Sequence, residues 1–157
     1  MWKPYIKNQL GIITIINNKG GVGKTTTAQN VGAAIATFSK TDKRVLIVDL
    51  DPQGSLTKAF GISLEKGSPT AGSFILSKAP LSQVIVNYNH SSIDILPANI
   101  GLIEDEEVIK NSSEFPFNLK KSLEKDPKKY DFVVIDCPPT LSALTKIALI
   151  ACHRYYI

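Results

Sequence analysis

The sequence predicts an α/β fold in which helices flank a doubly wound, mostly parallel sheet. Apolar, β-branched runs that suit buried parallel strands alternate along the chain with stretches of helical character. No internal repeat or low-complexity segment interrupts this alternation, which favours one continuous sheet. We therefore predict a single domain over residues 1–157, in which residues 1–11 form an irregular lead-in.

In the first half of the chain, each predicted strand leads into a helix. Residues 12–16 form an apolar strand that passes through a glycine-rich run into a helix, rich in alanine and threonine, at residues 25–38. Residues 45–48 form a second apolar strand, which precedes a short helix at residues 55–60 that Gly61 ends. This alternation is what a mostly parallel sheet requires.

The second half continues the alternation with shorter elements. Residues 81–86 stay ambiguous between helix and other structure. Apolar spacing and turn residues predict helices at residues 70–77, 104–110, 118–124 and 141–151, strands at residues 92–96 and 132–135, and the start of a further strand at residues 155–157.

The glycine-rich run at residues 17–26 carries the strongest functional signal. Such a turn between a strand and a helix directs backbone N–H groups and the positive helix end at one point, where a phosphate chain can bind. Lys24 can reach phosphate oxygens, and Thr25 can offer its hydroxyl to Mg²⁺. A turn that only caps and packs is the less favoured alternative, because the strand, the helix and the Gly-Lys-Thr ending occur together. The predicted nucleotide-binding residues are Lys19, Gly20, Gly21, Val22, Gly23, Lys24, Thr25 and Thr26.

Acidic residues follow two other predicted strands. Asp49 and Asp51 come at the end of the second strand, and Asp136 comes directly after residues 132–135. Ligands of open α/β sheets bind beyond the carboxyl ends of the strands, so these carboxylates are expected near the glycine-rich run. There, one aspartate can hold Mg²⁺, directly or through water, while another orients an attacking water. Alternatively, Asp49 and Asp51 only end a strand and open a turn at Pro52.

Three motifs together resemble one family. Residues 19–26, Lys-Gly-Gly-Val-Gly-Lys-Thr-Thr, are similar to the deviant Walker A motif of the ParA/MinD group of P-loop ATPases; Asn18 stands where the plain P-loop pattern has glycine. Residues 44–55 resemble the second acidic motif of ParA-type partition ATPases, and residues 130–139 resemble their Walker B strand and the switch that follows. The resemblance covers nearly the whole chain and implies a P-loop NTPase fold of the deviant Walker A type.

The resemblance implies a role for each site residue. Lys24 and Thr25 would bind phosphate and Mg²⁺, with Asp136 also at the metal. Asp51 would position the hydrolytic water, with Asp49 as a supporting carboxylate. The resemblance also makes Lys19 the signature lysine, which reaches across a nucleotide-sandwich dimer to the partner's phosphates and stabilises charge in phosphoryl transfer. The implied catalytic residues are therefore Lys19, Asp51 and Asp49, and the implied metal-site residues are Thr25 and Asp136.

The family's biology supplies further expectations. ParA-type proteins bind ATP and Mg²⁺, form an ATP-dependent homodimer, bind DNA non-specifically and respond to a ParB-type centromere-binding protein in plasmid or chromosome segregation. They are cytoplasmic, and nucleoid-associated when bound to DNA. Because such proteins continue beyond the strand that begins near residue 155, we expect the C-terminal part of the family domain to be absent. A MinD-like or cargo-positioning ATPase, or a truncated non-catalytic nucleotide-binding module, is the alternative.

Composition bears on three possible kinds of partner or cofactor: a membrane, an iron–sulfur cluster and a nucleic acid. The net charge of +4 is mild, and no apolar run approaches the roughly 20 residues that span a membrane, so no membrane partner is expected. Two cysteines without a Cys-x-x-Cys pair argue against an iron–sulfur site. The densest basic stretch is interpreted as a solvated helix face, with nucleic-acid contact as the less favoured alternative. It contains Lys120, Lys121, Lys125, Lys128 and Lys129.

Overall fold

The computed structural model describes residues 10–39, 42–65, 67–88, 91–125 and 130–157. Most of the predicted lead-in, together with Lys128 and Lys129 of the basic stretch, lies outside the described residues. Strands and helices follow in the order β1 Gly11–Ile15, α1 Lys24–Phe38, β2 Val45–Asp49, α2 Ser55–Ala59, α3 Ala71–Ile75, α4 Leu81–Val84, β3 Val86–Asn87, β4 Ile93–Leu96, α5 Leu102–Lys110, α6 Asn118–Glu124, β5 Phe132–Asp136, α7 Ala143–Ala151 and β6 Arg154–Tyr156.

The strands form one sheet in the order β3-β4-β2-β5-β1-β6. All neighbouring pairs are parallel except β3 with β4, which are antiparallel. The predicted mostly parallel, doubly wound sheet is therefore confirmed. The register places Asp136 opposite both Ile15 and Asp49, so the carboxyl ends of β1, β5 and β2 lie side by side. This edge of the sheet is where the predicted site residues are brought together.

Helices pack on both faces of the sheet because the central strands are apolar on both sides. Every residue of β2 is buried, as is every residue of β5 after Phe132. One cluster of buried side chains joins the sheet to α1 and α2, and the other joins it to α3, α5, α6 and α7. Against β2, α1 lies so close that a Cβ on Gly32 would be 2.4 Å from Cδ1 of Ile47. Across the described ranges, no helix has both the length and the apolar character to cross a membrane.

Element boundaries differ from the predictions for local reasons. The ambiguous residues 81–86 divide into α4 and the first residue of β3. The helix predicted at residues 70–77 ends at Ile75, because Ser77 has a positive φ of 57°. The helix predicted from residue 141 begins at Ala143, because Ser142 is extended.

A buried polar cluster holds the opposite edge of the sheet. The Asp94 carboxylate in β4 accepts hydrogen bonds from Asn87 Nδ2 (2.9 Å), Tyr130 Oη (2.6 Å) and Arg44 Nη2 (3.2 Å). Asp94 is buried, and three donors, one of them charged, offset the cost of removing its charge from water. These bonds join β3 and β4 to the segments that enter β2 and β5, far in the chain from the glycine-rich run.

Candidate nucleotide-binding site

The loop between β1 and α1 is open and depends on glycine for its backbone conformation. Gly21 and Gly23 have φ values of 71° and 89°, in the left-handed region that other residues rarely adopt. A Cβ at Gly20, Gly21 or Gly23 would meet nothing within 4 Å, so space above the loop is free. The N-cap residue of α1 is Gly23, which has no side chain with which to cap the helix. The unpaired backbone N–H groups of the first turn of α1 therefore lie beside open space, where an anion can bind.

The two lysines of the loop lie close to each other. Lys24 Nζ donates a hydrogen bond to the backbone carbonyl of Lys19 (3.1 Å), and the Lys19 N–H donates to Oδ1 of Asn17 (2.9 Å). Residues 18–22 are exposed to solvent. The ammonium group of Lys24 is thus held at the loop by a neutral acceptor, which a phosphate oxygen can replace with a stronger, charge-assisted bond.

The hydroxyl of Thr25 is bonded to the carboxylate at the end of β5. Thr25 Oγ1 donates to Oδ2 of Asp136 at 2.7 Å. Asp136 is 1% exposed, and its Oδ1 has no hydrogen-bond partner in the part of the chain that the structure describes. Burial raises the pKa of the Asp136 carboxyl to about 7, and the charges of Asp49 and Asp51 act in the same direction, against the Thr25 bond and Lys24. A buried carboxyl with an unused oxygen beside a threonine hydroxyl fits a nearby divalent cation.

The donor set fits Mg²⁺ in particular. Among the described residues, no three His, Cys, Asp or Glu side chains converge to hold a metal by themselves. Mg²⁺ commonly uses one or two protein oxygens and takes its other ligands from water and substrate phosphates. Thr25, with Asp136 behind it, offers such a partial set beside an anion-binding loop, so the residues present fit a phosphate chain and Mg²⁺ together.

Both carboxylate oxygens of Asp49 accept hydrogen bonds from the segment that follows β2 and from α2. Its Oδ1 accepts the N–H of Asp51 at 3.0 Å, and its Oδ2 accepts both the N–H and the hydroxyl of Thr57, at 2.8 and 2.7 Å. Asp49 is fully buried, and this burial raises its pKa. The carboxylate therefore holds the backbone N–H of Asp51 in place.

Asp51 lies above Asp49 in a tight turn, the Asp51 turn (residues 51–54). Its Oδ1 accepts the N–H of Gln53 (2.9 Å), and its carbonyl accepts the N–H of Gly54 (2.8 Å). Helix α2, which follows the turn, is bonded to the segment after β4, because the Thr57 hydroxyl also accepts the N–H of Ala98 at 3.0 Å. Sequence reasoning missed Thr57 and Ala98, since nothing in the local sequence indicates that they meet across 41 residues.

We expect Gly54→Ala to lower the free energy of unfolding by about 3 kcal/mol. Gly54 has a φ of 61°, and a Cβ there would be 2.8 Å from the carbonyl oxygen of Ala98, so left-handed strain and overlap with backbone act together. Gly61 is the matched control, because its φ of 71° is similar and its Cβ would meet nothing within 4 Å. Gly61→Ala should cost about 1 kcal/mol. Urea denaturation measures both, and equal losses would show that contact with Ala98 is unimportant.

The fold and this arrangement define a P-loop domain built to bind a nucleotide. A family model described as an AAA domain matches residues 10–157. The chain therefore belongs to this AAA domain family, and the predicted relationship to ParA-type proteins is confirmed by its relatives.

Two curated relatives and one solved structure illustrate the relationship. The sporulation initiation inhibitor protein Soj of Bacillus subtilis is 39% identical over 140 residues, 89% of this chain and 54% of Soj. The chromosome partitioning protein ParA of Caulobacter vibrioides is 34% identical over 152 residues, 96% of this chain and 56% of ParA. Cobyrinic acid a,c-diamide synthase from Mycobacterium smegmatis, solved with bound ATP analog and magnesium, has a TM-score of 0.86 and 36% identity, covering 93% of this chain and 58% of its own.

This chain spans about half the length of the curated relatives it matches. The region that the family model matches, residues 10–157, contains the glycine-rich loop and the three aspartates. The solved relative holds an ATP analog and magnesium, which agrees with the expectation of ATP and Mg²⁺.

Proposed function

We propose that this chain binds ATP with Mg²⁺ and hydrolyses it in a ParA-like partition system. The observation that carries the proposal is the 2.7 Å bond between Thr25 and the buried Asp136, beside an open glycine loop. In this proposal the loop from Lys19 to Thr26, including Gly20, Gly21, Val22 and Gly23, holds the phosphates. Thr25 and Asp136 hold the metal, which supplies positive charge beside the phosphates.

The protein's own side chains would carry the catalytic roles. Lys24 exchanges its bond to the Lys19 carbonyl for a phosphate oxygen, and Asp51, held by Asp49, orients the attacking water. Lys19 is exposed, so its side chain is free to approach the phosphates of a second subunit. Positive charge placed there would stabilise the charge that develops on the transferred phosphoryl group.

The biological role is proposed from the relatives. An ATP-dependent homodimer would bind DNA non-specifically and be stimulated by a ParB-type partner during plasmid or chromosome segregation. The name of the Caulobacter relative, chromosome partitioning protein ParA, supports this proposal, and the exposed loop at residues 18–22 is compatible with a second subunit.

Titration with a fluorescent ATP analogue, with Mg²⁺ and with EDTA, tests the binding step. We expect Mg²⁺-dependent binding by the wild-type chain and an affinity lower by about 100-fold in Lys24→Ala, because a charged partner of the phosphates is removed. Phosphate release then tests hydrolysis, and ATP-dependent retention on plasmid DNA tests the partition role. Lys58→Ala is the control, since Lys58 Nζ bonds to the Gln53 carbonyl and lies outside the loop. Equal affinities of Lys24→Ala and wild type would contradict the assignment.

A further inference from the structure

The amino end of α7 is capped by a side chain from another helix. Oε1 of Glu106, in α5, accepts the backbone N–H of Ala143 at 2.8 Å and that of Leu144 at 3.3 Å. Ser142 occupies the usual capping position but makes no side-chain capping bond, and its buried Oγ has no partner among the described residues. A carboxylate at this position satisfies unpaired donors and meets the positive end of the helix.

The helix that Glu106 caps begins directly after the connection from Asp136, the 137–142 loop. The beginning of this loop is fixed to β1, because the Cys137 N–H donates to the Ile15 carbonyl at 3.3 Å. Within the loop, the carbonyl of Thr140 accepts the Thr145 hydroxyl at 2.6 Å, while residues 139–141 are exposed. Glu106 therefore fixes the far end of the segment that leads away from the buried carboxylate.

The other end of α5 approaches the Asp51 turn. The segment that leads into α5 contains Ala98, whose N–H bonds to Thr57 and whose carbonyl lies against Gly54. Leu102, the first residue of α5, is fully buried, so the helix start is held in the core. The chain from Ala98 to Glu106 thus contacts the Asp51 turn at one end, just before α5, and at the other end the first residues of α7, which directly follow the 137–142 loop.

Glu106 differs from its acidic neighbours on α5. Asp105 pairs with Lys78, and Glu107 is paired weakly with Lys110 at 4.0 Å. Glu104 is exposed in the first turn of the helix. Of these acids, Glu106 is the one for which the described structure shows hydrogen bonds to α7. The apolar side chains of both helices share one buried cluster, so Glu106 supplies the polar part of the link between them.

We propose that Glu106 is a positioning residue that couples the Asp51 turn to the 137–142 loop through α5. A shift of the Asp51 turn moves Ala98 and α5, and the Glu106 carboxylate transmits that movement to the start of α7. The path runs from Gly54 to Ala98 by contact, along the chain through the start of α5, and from Glu106 to Ala143 by a hydrogen bond. A path in space does not by itself establish coupling, so a perturbation at each end has to be measured. The functional meaning of the coupling rests on the proposed nucleotide site, but the coupling itself is a property of the unliganded chain.

Glu106 could act only as a helix cap, or it could also link two loops. These two roles can be distinguished by supplying a cap from α7 itself in place of Glu106. Glu106→Ala removes both, whereas Glu106→Ala combined with Ser142→Asp restores a cap at the normal position without a bond to α5. Ser142→Asp alone and Glu104→Ala are the references. The thermal midpoint should fall in Glu106→Ala and recover in the double variant.

Hydrogen exchange of the unliganded protein, followed by mass spectrometry, provides the deciding measurement. In Glu106→Ala we expect exchange to rise about tenfold in residues 143–146 and also in residues 51–57. The double variant should restore slow exchange at 143–146 but leave 51–57 fast, and Glu104→Ala should change neither segment. If exchange became slow again in both segments of the double variant, Glu106 would be only a local cap. If exchange at residues 51–57 did not change in Glu106→Ala, the coupling would also be contradicted.

The reciprocal perturbation and nucleotide binding complete the test. Because coupling is reciprocal, Gly54→Ala should raise exchange at 143–146 in an otherwise wild-type chain and have no such effect in the double variant. If the wild-type chain fails to bind the fluorescent ATP analogue, the proposed function fails, while these exchange patterns still decide the coupling.

Discussion

Asp136→Asn should raise the free energy of unfolding of the unliganded protein at pH 8 by on the order of 4 kcal/mol. Burial raises the pKa of this carboxyl from 3.8 to about 7, so at pH 8 folding requires a charge to be held in a site 1% exposed to solvent. Asparagine keeps an oxygen that accepts the Thr25 hydroxyl and carries no charge. The expected increase in the free energy of unfolding therefore equals the free energy that the wild-type protein loses by burying a charged carboxylate.

The dependence on pH has a defined sign. Below about pH 4, the carboxyl is protonated in both the folded and the unfolded chain, and it carries no ionic cost. Between about pH 4 and pH 7, the unfolded chain loses this proton while the folded chain keeps it, so wild-type stability falls as pH rises. Above about pH 7 the loss is complete. The difference between Asp136→Asn and wild type should therefore grow over this range and then stay constant.

Urea denaturation at several pH values measures the effect. Asp51→Asn is an informative control, because it removes one of the two negative charges that raise the Asp136 pKa. In Asp51→Asn, the fall in stability with rising pH should be complete at a lower pH than in wild type, but it should still occur. If the free energies of unfolding of Asp136→Asn and wild type differed by the same amount at every pH, the raised pKa of the buried carboxyl would be contradicted.

Lys19→Gln should lower the rate of ATP hydrolysis by about 10³-fold, while leaving the affinity for MgATP within about threefold of wild type. The side chain of Lys19 is exposed, whereas its backbone carbonyl and N–H hold Lys24 and Asn17. Glutamine keeps those backbone bonds and removes the positive charge proposed to reach a second subunit. The loss should therefore fall on turnover.

Phosphate release and fluorescent-analogue titration, measured on the same preparations, separate the two effects. Lys24→Gln is the matched control, because it removes the other lysine charge of the loop and should weaken binding as well as turnover. If Lys19→Gln hydrolysed ATP at the wild-type rate, the role assigned to Lys19 would be contradicted. An equal loss of binding in the two variants would instead assign Lys19 to its own subunit's phosphates.

The sequence predicted those parts of the site whose residues lie close together along the chain. The glycine-rich loop, the apolar strands and the aspartates at their ends are local patterns, and parallel pairing brings strand ends together whatever the intervening loops do. The register of Asp49 with Asp136 follows from that pairing. The resemblance to ParA-type proteins rested on the same segments, which explains why both the fold and the family were predicted.

Contacts between distant segments were beyond sequence reasoning. Thr57 meets Ala98 across 41 residues, and Glu106 meets Ala143 across 37. Each depends on how helices pack on the sheet, and neither residue type is unusual for its position. The position of Asp49 illustrates the same limit, because sequence shows an aspartate after a strand but not that both of its oxygens are already bonded within the protein.

The bond from Lys24 to the Lys19 carbonyl is an intramolecular contact that competes with a phosphate oxygen for the same ammonium group. An anion that takes the place of this carbonyl on Lys24 gains the difference between two hydrogen bonds and not the whole strength of one. Neutral groups and weakly basic anions gain little from that exchange, whereas a polyphosphate gains a charge-assisted bond and the backbone donors of the loop. Selectivity for highly charged ligands thus begins with a contact the protein makes to itself.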